Sequence, residues 1–249
     1  MQNSKIEEEM FNEKGTNGDY DFFPENDYLK MWNISGFSKN DKKKTIFEAG
    51  CGTGAFGRRL ATMGYSVTGG DIAGKLVQIA NKMAKKEGST YRAVKVDLLN
   101  MKKFKKKFDY ILCPAVLHHF PELEPVMKSM SLILKPKGTL VLVEPNGSQP
   151  VVKLSEFIRK NIWPFNTMKN LATPNETMHT VKSYKKVLEN NGYEIIKIGT
   201  FEPHMIKGDY GFFVNILLFI KYDILQKMLS LILGGYNSGS VLVMKAVKK

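Results

Sequence analysis

From Lys44 onward, short apolar runs alternate with longer segments in which apolar residues recur at helical spacing. That rhythm is the sequence sign of βαβ units building a parallel sheet. It predicts strands over residues 45–49, 66–70, 91–96, 108–113 and 139–144, with helices over 55–63, 75–87 and 124–134 between them. Pro136 is read as ending the last of these helices, and Gly138 as the tight turn into the next strand. Past Pro145 the rhythm stops. It resumes with a helix over 183–191, closed by Gly192, and with strands over 194–198 and 240–246.

Four segments depart from this pattern. Residues 1–18 carry charges, Asn and Gly without periodicity, and are read as a loose tail that orders on contact with ligand. Residues 19–37 hold Phe22, Phe23, Tyr28, Leu29, Met31, Trp32, Ile34 and Phe37, which predicts one or two aromatic-rich helices. They pack as a cap on the core, or serve as a lid over a ligand through Tyr20, Phe22 and Phe23, or do both. Residues 147–182 form an insertion whose Phe157, Ile158, Ile162, Trp163, Phe165, Met168 and Leu171 are apolar enough to fold. Long insertions at the functional end of a sheet are where specificity usually resides. Residues 212–233 are strongly apolar, yet Asn215, Lys221, Asp223, Gln226 and Lys227 exclude a bilayer-spanning helix. They read as an amphipathic segment whose apolar face suits the core, a twin subunit or a membrane surface. The expected division is a tail and helical cap over residues 1–43, followed by one α/β domain over 44–249.

Charge refines the picture without naming a reaction. Among 249 residues, 37 Lys+Arg against 24 Asp+Glu leave +13, which suits nucleic acid or an anionic membrane face. Lys42 to Lys44, the run from Lys102 to Lys107, and Lys135 with Lys137 all precede predicted strands, while Lys245, Lys248 and Lys249 end the last one. In a parallel sheet closed by an antiparallel strand, these positions share the end opposite the ligand crevice. The basic pole thus faces away from the chemistry, and nucleic acid is not the favoured partner. The two cysteines, Cys51 and Cys113, fit no metal-ligand or disulfide-framework spacing. They read as free thiols in a reducing compartment rather than as a disulfide, and no metal is expected. Residues 1–14 lack the apolar core of a secretory signal, so the expected location is cytoplasmic, with peripheral membrane contact through residues 212–233 as an option.

The first predicted strand runs into Glu48-Ala49-Gly50-Cys51-Gly52-Thr53-Gly54 and then a helix, which places a glycine-rich turn at a helix N-terminus. Backbone amides there can approach a nucleotide-like ligand without hindrance from a Cβ. Gly52, Gly54 and Gly57 also satisfy the dinucleotide spacing, so the glycines alone do not decide. The acids do. Glu48 is expected to bring a carboxylate near the ligand, Asp71 ends the second strand where it can take both ribose hydroxyls, and Asp97 follows the third. Three acids around one turn disfavour a pyrophosphate and suit a positively charged nucleoside.

On these motifs the sequence resembles the class I methyltransferases, in particular the small-molecule branch that includes ubiquinone and menaquinone biosynthetic enzymes. The resemblance covers roughly residues 44–146 and extends more weakly to the last strand. It includes Phe108-Asp109-Tyr110-Ile111-Leu112, then Val116-Leu117-His118-His119-Phe120, and a turn Leu134-Lys135-Pro136-Lys137-Gly138 with Lys137 where glycine is commoner. It implies a Rossmann-like, doubly wound, seven-stranded sheet ending in an antiparallel hairpin. It also implies S-adenosylmethionine as cofactor, with S-adenosylhomocysteine as product. Cofactor contacts then fall to Glu48, Gly50, Cys51, Gly52, Gly54, Asp71, Ile72, Asp97, Leu98 and Pro114. The implied acceptor is a small or lipid-like molecule. An RNA or protein acceptor is a rival reading, as is a noncatalytic protein of this fold at a membrane surface.

His118 and His119 are the candidate catalytic residues, each open between a base or polariser and a packing role. His179 and His204 favour packing. Glu144 faces the acceptor or caps the loop that follows it, and Cys51 reads as a small filler because no activating base stands near it in sequence.

Overall fold

Side chains alternate between two faces along each central strand, and each face is buried. The computed structural model describes residues 4–14, 25–36, 43–161, 173, 175–202, 228 and 239–249. In chain order the elements are α1 (Ser4–Lys14), α2 (Glu25–Ser35), β1 (Thr45–Ala49), α3 (Ala55–Thr62), β2 (Ser66–Asp71), α4 (Gly74–Lys86) and β3 (Arg92–Lys95). There follow β4 (Phe108–Pro114), α5 (Leu123–Ser131), β5 (Leu134–Pro145), α6 (Pro150–Asn161), α7 (Val181–Asn190), β6 (Tyr193–Phe201) and β7 (Val241–Lys248). Short 3₁₀ segments occupy Leu98–Lys103 and Leu117–His119.

The seven strands form one sheet in the order β3-β2-β1-β4-β5-β7-β6. β1 to β5 are parallel, and β7 runs antiparallel to both β5 and β6, as the resemblance implies. Phe47, Ile111, Cys113, Leu140, Leu142, Leu242 and Met244 point to one face, packed by α5 and α7. Ile46, Tyr110, Leu112, Val141, Val143, Val241 and Val243 point to the other, packed by α2, α3 and α4. This two-period alternation, with Leu76, Val77, Ala80 and Ala84 at helical spacing on α4, is the pattern of a three-layer α/β fold. Cys51 and Cys113 are both free thiols and belong to opposite core layers. Among the described residues no helix is long and apolar enough to cross a membrane.

Two expectations need correction. Residues 4–14 are helical and not a loose tail. Asn12 Oδ1 accepts from Lys75 N at 2.9 Å, Glu8 pairs with Lys95, and Glu7 is buried. The face α1 turns inward carries Glu7, so it shows no apolar stripe in sequence. The second correction concerns α5, which stops at Ser131. Leu134 already pairs with Phe108, and the register then jumps so that Thr139 pairs with Tyr110. Lys135 to Gly138 therefore bulge out of β5 and neither end a helix nor precede the strand. Lys137 sits at φ +57, a left-handed conformation that explains why glycine suits this position. Of the aromatic segment, Tyr28 and Met31 on α2 are buried in the core, while Tyr20, Phe22, Phe23 and Phe37 lie outside the described residues. Residues 162–172, and 212–233 apart from Met228, lie outside them too.

At the amino ends of the strands, Asp109 on β4 joins three strands. Its Oδ2 accepts from Thr45 N and Thr45 Oγ1, both at 2.8 Å, and its Oδ1 meets Lys135 Nζ at 2.9 Å. Burial alone would raise its pKa, but the Thr45 and Lys135 bonds outweigh that and hold the carboxyl below its ordinary range. Its contribution to stability is therefore present above the carboxylate range and lost as pH falls through the lowered native value. Asp109→Asn should lower the unfolding free energy by about 1–2 kcal/mol at neutral pH in urea titrations. The gap to the wild type should close in acid.

Candidate active site

β1 pairs in parallel with both β2 and β4, so the loops leaving their carboxyl ends share one rim. After β1 the chain turns through Gly50, Gly52 and Gly54 at φ +62, +52 and +76, conformations that glycine takes at little cost. Their surroundings differ. A Cβ on Gly50 would lie 2.2 Å from Val116 Cγ2, and one on Gly54 would lie 2.7 Å from the Tyr91 ring. Gly57 and Gly69 are equally confined, their would-be Cβ atoms 2.4 Å and 2.0 Å from atoms of Tyr91. On Gly52 a Cβ would meet nothing within 4 Å. Gly52 is where a ligand can come close to the backbone of this turn.

Carboxylates brace the turn. Asp71 Oδ2 accepts from Gly52 N at 2.8 Å, and Oδ1 accepts from Ala73 N at 2.8 Å. Burial pushes the Asp71 carboxyl above its ordinary value, against these amide bonds. Each oxygen has a second lone pair, so Asp71 keeps capacity for ligand hydroxyls. Glu48 is sealed beneath the turn, 1% exposed, and Gly57 N donates to its Oε1 at 3.0 Å while Tyr91 Oη donates to Oε2 at 2.7 Å. Its carboxylate thereby fixes the first turn of α3 to Tyr91. Burial raises it to about 7, opposed by the Tyr91 and Gly57 bonds and by the charge of Arg58. Burial, together with the charges of Asp71 and Glu48, pushes the Cys51 thiol well up, which keeps it unreactive.

The other predicted contacts reach the rim from neighbouring strands. Half-buried Ile72 follows Asp71, and Pro114 ends β4. Asp97 lies just past β3, and its Oδ1 accepts from Leu99 N at 2.9 Å, capping the 3₁₀ segment that begins with buried Leu98.

A second polar cluster stands beside the first, at the ends of β4 and β5. Glu144, 1% exposed, takes Val116 N and Leu117 N on Oε1 at 2.9 and 2.7 Å. Its Oε2 is 2.9 Å from His118 Nδ1. Glu144 thus caps the turn after β4, whereas the expected capping role was in its own following loop. At the start of that turn Ala115 is held at φ +53, a strained conformation for a residue with a Cβ. The His118 and His119 rings lie 4.2 Å apart. His119 Nδ1 is 3.1 Å from Thr173 Oγ1 and 3.4 Å from Glu7 Oε2, and Phe11 meets its ring edge-on at 5.2 Å. Burial opposes a proton on His118, but the bond to Glu144 and the charges of Glu144, Glu176 and Glu7 prevail and raise its pKa. His179 is set apart by its role: its Nε2 donates to Phe120 O at 2.8 Å, and burial lowers its pKa. His204 lies outside the described residues.

Glu7, Tyr91, Thr173 and Glu176 were not singled out by the sequence reading. Tyr91 was legible only as a strand residue, although a large ring among so many glycines needs space. The other three carry no local signal, because Glu7 meets residues 173–176 only through the tertiary fold.

Comparison with known proteins places this geometry. The family described as a methyltransferase domain matches residues 40–200, more than half of the chain. The ubiquinone biosynthesis O-methyltransferase of Coxiella burnetii is 31% identical over 101 residues, covering 40% of this chain and 42% of that protein. The protein of the same description from Rhizobium johnstonii is 29% identical over 143 residues, covering 54% and 57%. These matches span about half the length of the curated relatives. The magnesium protoporphyrin IX methyltransferase of Synechocystis PCC 6803, solved with bound SAH, shares the fold at a TM-score of 0.66 and 17% identity, over 99% of this chain and 100% of that one. The family match across the glycine turn and the two acidic rims, together with the shared sheet, makes this chain a member of the class I S-adenosylmethionine-dependent methyltransferases.

Proposed function

We propose that the chain transfers a methyl group from S-adenosylmethionine to an oxygen of a small-molecule or lipid-like acceptor. The observation that carries this reading is the contact between the two clusters. Val116, two residues before His118, packs directly on Gly50 of the glycine turn, so the imidazole backed by Glu144 adjoins the cofactor rim. When bound, S-adenosylmethionine supplies a methyl group already activated by a positive sulfur.

The residues present fit that cofactor. The backbone of Gly50, Cys51, Gly52 and Gly54 would cradle its methionine part, with open space at Gly52. Asp71 would take the ribose hydroxyls, beside Ile72, and Asp97 with Leu98 the adenine, with Pro114 closing the rim. Glu48 supports the turn from within and makes no contact of its own at the mouth. Much of the rate gain would come from aligning the acceptor and excluding water. His118 would present a ring nitrogen to the acceptor's hydroxyl.

The curated relatives named as O-methyltransferases support an oxygen acceptor of low molecular weight. Leu154 and Phe157 on α6 are 53% and 57% exposed, which supports a greasy one. Lysines gathered at the far end of the sheet speak against nucleic acid. Lys248 there feels the charge of Lys107.

Three measurements test these roles. Asp71→Ala should weaken S-adenosylhomocysteine binding about 10- to 100-fold by calorimetry, and unchanged affinity would remove Asp71 from the site. His118→Gln should cut turnover about 100-fold or more while cofactor affinity holds. Glu48 has a native pKa of about 7 against an ordinary 4.5, so its share of stability is complete below pH 4.5 and is lost as pH rises to 7. That loss amounts to about 3 kcal/mol. Glu48→Gln cannot ionise, so its unfolding free energy should fall less steeply across this range than that of the wild type; parallel profiles would contradict the assignment.

A further inference from the structure

We propose that His118, His119 and Glu176 form a binding site for a divalent first-row transition-metal ion, placed to receive the acceptor's oxygen. The inference rests on the reading that the acceptor is brought to His118, and it changes what the oxygen meets there. One donor atom from each of the three side chains lies within 4.8 Å of the other two. Ligands bonded to such an ion at about 2.0–2.2 Å stand roughly 3–4 Å apart, so closing the site needs shifts on the order of an ångström.

Three further observations favour an ion over a merely polar pocket. First, His118 Nδ1 is backed by the Glu144 carboxylate at 2.9 Å, the arrangement that orients metal-binding imidazoles and leaves Nε2 to coordinate. Second, three carboxylates, Glu144, Glu176 and Glu7, act together on the His118 imidazole. Glu7 and Glu144, 5% and 1% exposed, are bonded by an amide side chain, backbone amides and imidazoles, and among the described residues neither is paired with a lysine or an arginine. Buried carboxylates so placed are costly unless a cation compensates them. Third, the buried Glu7 Oε2 lies 3.4 Å from His119 Nδ1, so a second carboxylate stands behind the second imidazole as Glu144 stands behind the first.

The donor set names the ion. Two imidazoles and one carboxylate suit Zn²⁺, Co²⁺, Mn²⁺ or Fe²⁺ better than Ca²⁺ or Mg²⁺, which prefer all-oxygen shells. Three protein ligands leave coordination positions open. An acceptor bearing a hydroxyl or carboxylate oxygen could fill one, whereas an acceptor presenting only carbon could not. The site therefore favours acceptors that bring a heteroatom donor, an oxygen among them, over those that present only carbon.

The test uses the full chain, stripped with chelator and titrated with Co²⁺, whose visible absorption reports ligation directly and without turnover. One equivalent should bind, be displaced by Zn²⁺, and lose about 10- to 100-fold in affinity in His119→Gln and again in Glu176→Gln. His179→Gln, outside the cluster, should bind as the wild type does. Circular dichroism identifies any variant that fails to fold, and the two substitutions serve as independent checks on each other. Absence of stoichiometric Co²⁺ uptake, or uptake that survives both substitutions in folded protein, overturns the proposal. S-adenosylhomocysteine affinity, measured on the same samples, separates the two readings: its retention without cobalt binding leaves the methyltransferase reading standing alone. Cobalt binding without it leaves the metal site and removes the methyltransferase reading.

Discussion

Carboxylates buried at the ends of parallel strands must find hydrogen-bond donors, and in this chain the donors are the loops of the candidate site and the first turn of α3. Glu48 binds Gly57 N, Asp71 binds Gly52 N, and Glu144 binds Val116 N and Leu117 N. Each loop amide in turn gains an acceptor it would otherwise lack. A buried amide or carboxylate left alone costs more than the bond contributes when made, so the pairing is mutual and the loops have little freedom to drift. The sheet sets where the carboxylates stand, and the carboxylates set the loops.

Much of this was legible in the sequence, for identifiable reasons. Strands β1 and β4 are short, largely apolar runs and β2 is a short run of small residues, and the ends of all three fall within a residue of the expected ones. The glycine turn was legible because positive φ leaves few choices of residue. The β5 bulge was not, since Lys-Pro-Lys-Gly reads as a turn wherever it falls, and only the pairing of Leu134 with Phe108 places it inside a strand. Helix α1 escaped notice because its inward residue Glu7 is charged. The direction of a carboxylate is equally silent: Glu48 and Asp71 look alike in sequence, yet one is sealed under the turn and the other lies at its edge.

Charge is distributed along the strand axis. Acids gather where the strands end, while Lys107, Lys135 and Lys248 gather where β4 and β5 begin, with Asp109 as a local counterweight to Lys135. An anionic acceptor approaching the rim would meet carboxylates first.

Tyr91 bears on how glycine-rich motifs are interpreted. Its ring crowds the space that side chains at 54, 57 and 69 would need, and among the glycines of the turn only Gly52 borders open volume. Gly54 and Gly57 thus answer to an interior aromatic and Gly50 to Val116, while Gly52 faces space that a cofactor could fill. A smaller residue at 91 would relieve only part of this, because Gly54 at φ +76 still disfavours a side chain, and Glu48 Oε2 at 2.3 Å and Cys51 Sγ at 2.8 Å would still crowd a Cβ at 57 and 69. A glycine in such a motif is consequently explained by its packing partners and its backbone angle before it is explained by a ligand.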